Sequence, residues 1–166
     1  MQAAIRDAVP EDLGAIFAIY NEEVVHGTAT FDTEPRELGR DDGWLTEREW
    51  ERHPVIVAQA DGEVVGWASL SPWSPRKAYD RTAEESVYVH ADRRAQGIGR
   101  ALLVALIERA RQAGLGVLIA RIAEGRRASV RLHESLGFER IGTQRRCGEK
   151  FGRILDVELM DLQLDG

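Results

Sequence analysis

A single cysteine, Cys147, stands among the 166 residues. That scarcity excludes an internal disulfide framework and any zinc site built on several cysteines. It also suits a reducing compartment, so a cytoplasmic location is expected. No stretch approaches the roughly 20 consecutive apolar residues of a membrane span. The opening MQAAIRDAVPEDL lacks the apolar core of a secretory signal. Basic residues are in the minority, 22 Lys+Arg against 28 Asp+Glu, for a formal net charge of −6. That balance argues against general nucleic-acid binding, which needs a basic face. Only five prolines are present and the 16 glycines are scattered, so no low-complexity tract, linker or internal repeat is visible.

What is present reads as an ordinary globular chain, 43% hydrophobic and 30% charged. A chain this long buries about 70% of its unfolded surface and needs no disulfide or metal staple. One domain over residues 1–166 is expected, with no metal.

Hydrophobic periodicity sets the order of elements. Residues 3–8 suit a first strand, ended by Pro10, and Glu11 and Asp12 then open a helix whose Leu13, Ile16, Phe17 and Tyr20 share one face. Residues 26–35 read as an irregular connection and 36–51 as a polar helical segment. The runs 55–60 and 63–71 flank Asp61-Gly62, a strong hairpin signal. A loop at 72–82 and a strand at 84–90 follow. The clearest helix is 97–113, with Ile98, Leu102, Leu103, Leu106, Ile107 and Ala110 on one face and Gly114 as its stop. A buried strand at 116–122, a short helix at 127–136 and strands near 138–146 and 154–162 complete the chain. The order βα(α)βββαβαββ predicts an α/β fold with a mixed sheet flanked by helices.

The segment 86–103, SVYVHADRRAQGIGRALL, carries the most chemistry. A strand runs through Arg94-Ala95-Gln96-Gly97-Ile98-Gly99 into the strongest helix. The first turn of a helix presents unpaired N–H groups and the positive end of the helix dipole, which together bind anions. Gly97 and Gly99 let a phosphate approach the main chain, and Arg93, Arg94 and Arg100 add positive charge. Taken alone, Gly-x-Gly is equally compatible with an ordinary helix start. It is neither a Walker loop nor the dinucleotide fingerprint, because no Gly-Lys-Ser/Thr follows and position 102 is Leu. Local charge runs against the global balance. Residues 92–100 hold three arginines against one Asp, and 121–131 hold four arginines against one Glu.

Arg94-x-x-Gly97-x-Gly99, between a strand and an amphipathic helix, resembles the acetyl-CoA pyrophosphate loop of the GNAT acyltransferase superfamily. Ser129-Val-Arg-Leu-His133-Glu-Ser-Leu-Gly137-Phe138 resembles its later helix, which flanks the CoA arm. Within the superfamily the chain is similar to the phosphinothricin and methionine sulfoximine N-acetyltransferases. The closer match lies in Thr28–Pro35, Ser71–Asp80 and Thr82–Val89. The resemblance implies the GNAT fold with a splayed central sheet, acetyl-CoA as co-substrate, a small amino acid as acceptor, and a homodimer.

It also implies roles. Main-chain groups of Val87, Tyr88 and Val89 would bond the pantetheine and the thioester carbonyl. The run Arg94, Ala95, Gln96, Gly97, Ile98, Gly99 and Arg100 would hold the pyrophosphate. The superfamily often places an Asn before the later helix; the aligned residue here is Arg126, which cannot accept a hydrogen bond, so that contact changes. Arg126 or Arg127 reaching a CoA phosphate and a solvent-facing arginine are both open. His133 and Ser135 stand where a general acid is often found, with His133 as proton donor to the thiolate, as orienter of a water, or as a half-buried structural histidine.

Glu84 and Glu85 are both candidates for the base that deprotonates the acceptor amine, and the resemblance favours Glu84. Neighbours on a strand point to opposite faces, and Glu85 also fits a surface carboxylate. Arg76 and Tyr79 are expected to hold the acceptor's anionic or polar group, and Phe31 and Trp73 to wall its stem, with Trp73 equally suited to a core or interface. Cys147 is not needed as a nucleophile. The rival readings are a GNAT enzyme for another amine, such as a peptide N-terminus or an antibiotic, and a non-catalytic acyl-CoA-binding module.

Overall fold

The computed structural model describes residues 2–165. Its strands are β1 (Ala4–Asp7), β2 (Val55–Ala60), β3 (Glu63–Pro72), β4 (Thr82–Val89), β5 (Val117–Ala123), β6 (Glu139–Lys150) and β7 (Arg153–Gln163). Its helices are α1 (Leu13–His26), α2 (Gly43–Thr46), α3 (Ile98–Gln112) and α4 (Arg127–Ser135). The strands form one sheet in the order β1-β2-β3-β4-β5-β7-β6. Only β4 and β5 run parallel, because α3 carries the chain back across the sheet between them. The mixed sheet expected from the element order is therefore present.

Helices cover both faces. On one, α3 and α4 press Leu102, Leu103, Leu106 and Val130 against Ile56, Ala68, Leu70, Leu118 and Met160. On the other, α1 and α2 press Ile16, Phe17, Tyr20 and Leu45 against Val55, Val57 and Trp67. Strand β2 is buried on both sides over Val55–Ala58, which is why it reads as an unbroken apolar run.

Asp61 and Gly62 turn β2 into β3 with φ of 54° and 79°, the left-handed pair that suits a two-residue hairpin. The polar segment 36–51 differs from expectation. It forms only the single turn α2, because Asp41 and Asp42 carboxylates accept the N–H groups of Glu37 and Gly39 at 2.8 Å and so compete with helical bonds. The last two strands are longer than their sequence pattern suggests. A second left-handed pair, Phe151-Gly152, joins them, and β6 absorbs register shifts at Arg140/Gly142 and Gln144/Gly148. No helix among the described residues is long and apolar enough to cross a membrane.

Candidate active site

The parallel pair β4–β5 is paired at only three positions, Thr82↔Val117, Ala83↔Leu118 and Glu84↔Ile119. Beyond Glu84, β4 stays with β3 as far as Val89, and β5 stays with β7 as far as Ala123. The two central strands therefore diverge, and Glu84 sits at the vertex. The opening is part of a cleft of about 790 Å³. His90 N–H bonds Val65 O at 2.8 Å towards β3. By the alternation of main-chain groups along a strand, Val87 and Val89 turn theirs into the opening, whereas Tyr88 turns its own to β3.

At the wide end of the cleft stands the turn before α3. Ala95 and Gly97 have φ of 59° and 82°. No side chain caps α3, and the first bond back is from Ala101 N–H to Gly97 O at 3.0 Å. The N–H groups of Ile98, Gly99 and Arg100 precede that bond and are free to meet an anion. Arg94, Gly99 and Arg126 line the cleft; Ala95, Gln96, Gly97, Ile98, Arg100 and Ser135 do not. Ile98 turns its side chain into the core, and Arg100 donates to Ser135 Oγ at 2.8 Å.

Arg94 and Arg126 converge on one buried carboxylate, Glu23 of α1. Arg94 Nη2 lies 2.8 Å from Glu23 Oε1, and Arg126 Nη1 lies 3.9 Å from Oε2. A Cβ at Gly27 would stand 1.8 Å from Glu23 Oε2, so glycine there makes room for that carboxylate. Lys150, buried at the end of β6, donates to the carbonyls of Glu23 and Thr30 at 3.0 and 2.8 Å. Desolvation lowers its pKa. It pins the 27–32 segment to the sheet.

Gly99 separates binding from folding. A Cβ there meets only Val89 and Leu132, at ordinary contact distances of 3.6 and 3.8 Å. Gly99→Ala is expected to raise stability by about 0.5–1 kcal/mol through helix propensity. It is also expected to narrow the turn and to weaken the binding of acetyl-CoA, the ligand that the sequence resemblance implies. Thermal melting and calorimetric titration read the two effects; tighter binding would contradict this account of the cradle.

At the narrow end, the two glutamates part as strand alternation demands. Glu84 receives a two-point bond from Arg121 of β5, Nε to Oε2 at 2.8 Å and Nη2 to Oε1 at 2.6 Å. The Arg121 guanidinium lies 5.4 Å from the centre of the Trp73 ring. Trp73 thus reaches the site through Arg121 and does not itself line the cleft.

Glu85 is not a surface carboxylate. It is 7% exposed, because it faces α4 from mid-strand alongside buried Ala83. It meets His133 Nε2 at 2.5 Å, and His133 Nδ1 faces Ser129 O at 2.7 Å. His133 is fully buried rather than half-buried, and Phe138 packs edge-on against it. The Ser129 carbonyl accepts at Nδ1, and the charge-assisted bond to Glu85 at Nε2 favours the protonated ring. Burial alone pulls the His133 pKa down. The bond to Glu85, its negative charge and the Ser129 carbonyl outweigh burial, and the net shift is upward.

An aromatic wall closes the α1 side. Tyr20, Trp44, Trp67 and Tyr88 pack in tilted, T-shaped and stacked pairs with centroids 4.9–5.9 Å apart. Arg36 lies over Tyr20 and Trp44 at 4.7 and 5.0 Å. Tyr20 Oη bonds Thr30 Oγ1 at 2.8 Å and donates to Asp32. Burial, with Asp32 adding to it, pushes the Tyr20 phenol up to about 12, so it stays protonated. Burial likewise raises Tyr88.

Phe31, Glu84, Glu85, Val87, Tyr88, Val89 and His133 line this cleft, whereas Arg76 and Tyr79 lie outside it on the exposed 72–82 loop. Sequence reasoning missed Glu23, Arg36 and Arg121. Two carried a signal. Glu23 falls on the apolar stripe of α1, three residues after Tyr20, and Arg121 is the lone charge in the run GVLIARI. Arg36 carried none, since its place depends on how the 27–36 segment folds back onto Asn21.

Comparison with known proteins agrees with this geometry. Residues 15–138 match the acetyltransferase (GNAT) family model. An L-methionine sulfoximine/L-methionine sulfone acetyltransferase of Pseudomonas paraeruginosa is 46% identical over 166 residues, covering 99% of this chain and 96% of that protein. A phosphinothricin N-acetyltransferase of Alcaligenes faecalis is 38% identical, covering 97% of this chain and 82% of that protein. The structure of yncA, a putative acetyltransferase from Salmonella typhimurium with its cofactor acetyl-CoA, superposes with a TM-score of 0.95 at 38% identity, covering 100% of this chain and 96% of that one. A sheet that opens beyond Glu84, an uncapped helix turn at the mouth of the opening and a match over 15–138 converge: this chain belongs to the GNAT family of acetyltransferases.

Proposed function

We propose that this chain transfers an acetyl group from acetyl-CoA to the α-amine of a small amino acid, with L-phosphinothricin, methionine sulfoximine and methionine sulfone as the preferred acceptors. The observation that carries the reading is the divergence of β4 and β5 with a carboxylate at its vertex. The relatives named above support the acceptor class.

The residues present fit acetyl-CoA. Free N–H groups ahead of Ala101 suit the pyrophosphate, with Arg94 and Arg126 adding charge beside it. Unpartnered main chain at Val87 and Val89 suits the pantetheine amides and a thioester oxygen. Acetyl-CoA supplies an activated acetyl thioester. The protein supplies the rest. Glu84 takes a proton from the acceptor's ammonium group, directly or through a water, and leaves a free amine. The aromatic wall excludes water from the acceptor side. His133, with both nitrogens engaged, braces β4 against α4 through Glu85 and so holds the vertex in place.

The protein acts in the cytoplasm, consistent with its single cysteine. It works as a homodimer, a reading supported by the exposed apolar side chains Ile141, Phe151 and Ile154 on the β6–β7 hairpin.

A thiol-release assay with acetyl-CoA across an amino-acid and amine panel tests the reading. Turnover with the three named acceptors is expected; turnover only with other amines would sink it. Raising ionic strength from about 0.01 M to about 1 M shortens the screening length from about 30 Å to 3 Å. Acetyl-CoA binding should weaken markedly over that range. A salt-independent dissociation constant would remove Arg94 and Arg126 from the cofactor's reach.

A further inference from the structure

We propose that Arg121 binds the α-carboxylate of the acceptor, and that its ion pair with Glu84 is a lock which a free amino acid opens and a simple amine does not. This deepens the amino-acid reading above and rests on it.

Arg121 holds an unusual place. It is the one exposed residue on β5, a strand otherwise buried or half-buried along its length between β4 and β7. It projects into the cleft beside the vertex, two residues beyond the last β4–β5 pair. Its Cζ lies over the Trp73 ring, 5.4 Å from the centroid, a cation–π contact that helps hold the guanidinium in the cleft. Its two bonds to Glu84 use Nε and Nη2. A guanidinium carries five N–H donors, so the Nη1 edge and the second Nη2 hydrogen remain to meet an anion.

The charges at this spot are the complement of an amino-acid zwitterion. Guanidinium and carboxylate stand side by side, as ammonium and carboxylate do across one Cα. A zwitterion laid against the pair places its carboxylate on Arg121 and its ammonium on Glu84, giving a closed ring of four alternating charges. The new carboxylate competes for the guanidinium and releases Glu84 oxygens to the ammonium. The proton then passes from the ammonium nitrogen to Glu84, and the amine is freed only when the carboxylate is present.

An amine without that carboxylate must draw Glu84 away from Arg121 with nothing offered in return. The pair therefore selects by penalty as well as by attraction. It favours free α-amino acids and disfavours peptide N-termini, amino-acid amides and decarboxylated amines.

The test compares L-methionine sulfone with its α-carboxamide, in the wild type and in Arg121→Met and Arg121→Lys, with acetyl-CoA affinity measured by calorimetry in each. The wild type is expected to prefer the acid by about a hundredfold in kcat/KM, the scale of a charge-assisted bond. In R121M the ratio of acid to amide should fall to within about threefold of one, chiefly through a raised KM for the acid, while R121K keeps part of the preference. Unchanged acetyl-CoA affinity marks each variant as folded. An R121M enzyme with the wild-type preference overturns the assignment. So does an R121M enzyme that binds acetyl-CoA yet acetylates neither compound, since Arg121 would then serve only to position Glu84. A wild type that acetylates neither, while turning over another amine, overturns the amino-acid reading itself.

Discussion

Glu84→Gln should cut kcat by about 10²–10³-fold, within the range that positioned proton transfer supplies. The change is isosteric. The Gln carbonyl oxygen still accepts one of the two bonds from Arg121, the NH2 loses the other, and the amide cannot take a proton from the acceptor ammonium. Acetyl-CoA binding should persist, because the contacts proposed for it lie along β4 beyond Glu84 and at the α3 turn. The loss should shrink as pH rises towards the acceptor's own pKa, since solvent then supplies the free amine. Steady-state kinetics across pH, paired with calorimetric acetyl-CoA titration, reads both effects. Unchanged turnover at neutral pH would remove Glu84 as the base. Lost acetyl-CoA binding would mean that the variant had damaged the cleft instead.

His133→Leu should be among the most destabilising single substitutions in the chain, at about 3–5 kcal/mol. It leaves the Glu85 carboxylate buried without its partner, and burying an unpaired charge is far more costly than losing a paired one. At about 2–4 °C per kcal/mol for a chain of this size, the melting temperature should fall by about 6–20 °C. The double replacement Glu85→Met with His133→Leu removes both charges and should recover most of the loss. If the double variant melts no higher than His133→Leu, uncompensated charge is not the cause.

The pair also fixes the sign of a pH effect. Burial lowers the His133 pKa, but the bond to Glu85, its charge and the Ser129 carbonyl raise it further, so the folded value exceeds the unfolded one. A raised folded pKa means that the imidazolium's contribution is complete below the unfolded value of about 6.5 and is lost as pH climbs through the folded value. The stability gap between wild type and the apolar double variant should therefore be most in the wild type's favour at acid pH and should move against it towards alkaline pH. A gap that does not change with pH would show His133 to be neutral in the fold.

These two glutamates show how far the sequence could be read. Adjacent carboxylates at the start of a strand-like run identify two acid–base candidates, and strand alternation requires them to face opposite ways. Which one faces the helices is decided by packing. Ala83 and Glu85 fall on the α3–α4 side, where His133 waits 48 residues further along the chain. That distance in sequence hides the pair from any local rule. The loop 72–82 shows the reverse. Its arginine and tyrosine look like ligands for an anionic acceptor, yet the loop swings out and leaves Arg76 and Tyr79 exposed. Within that loop, only the start carries Trp73 back to Arg121.

The order of strands and helices, the mixed sheet, the Asp61-Gly62 hairpin and the glycine-bearing turn before α3 follow from periodicity, turn chemistry and glycine placement, all of which act over a few residues. The resemblance to the GNAT superfamily was carried by similarly short motifs. The vertex of the splay at Glu84, the buried Glu85–His133 pair, the convergence of Arg94 and Arg126 on Glu23, and the Arg121–Glu84 ion pair were settled only in the folded chain. Each joins residues from separate elements. Where two charges meet depends on how sheet and helices pack, and no local pattern of side chains encodes that distance.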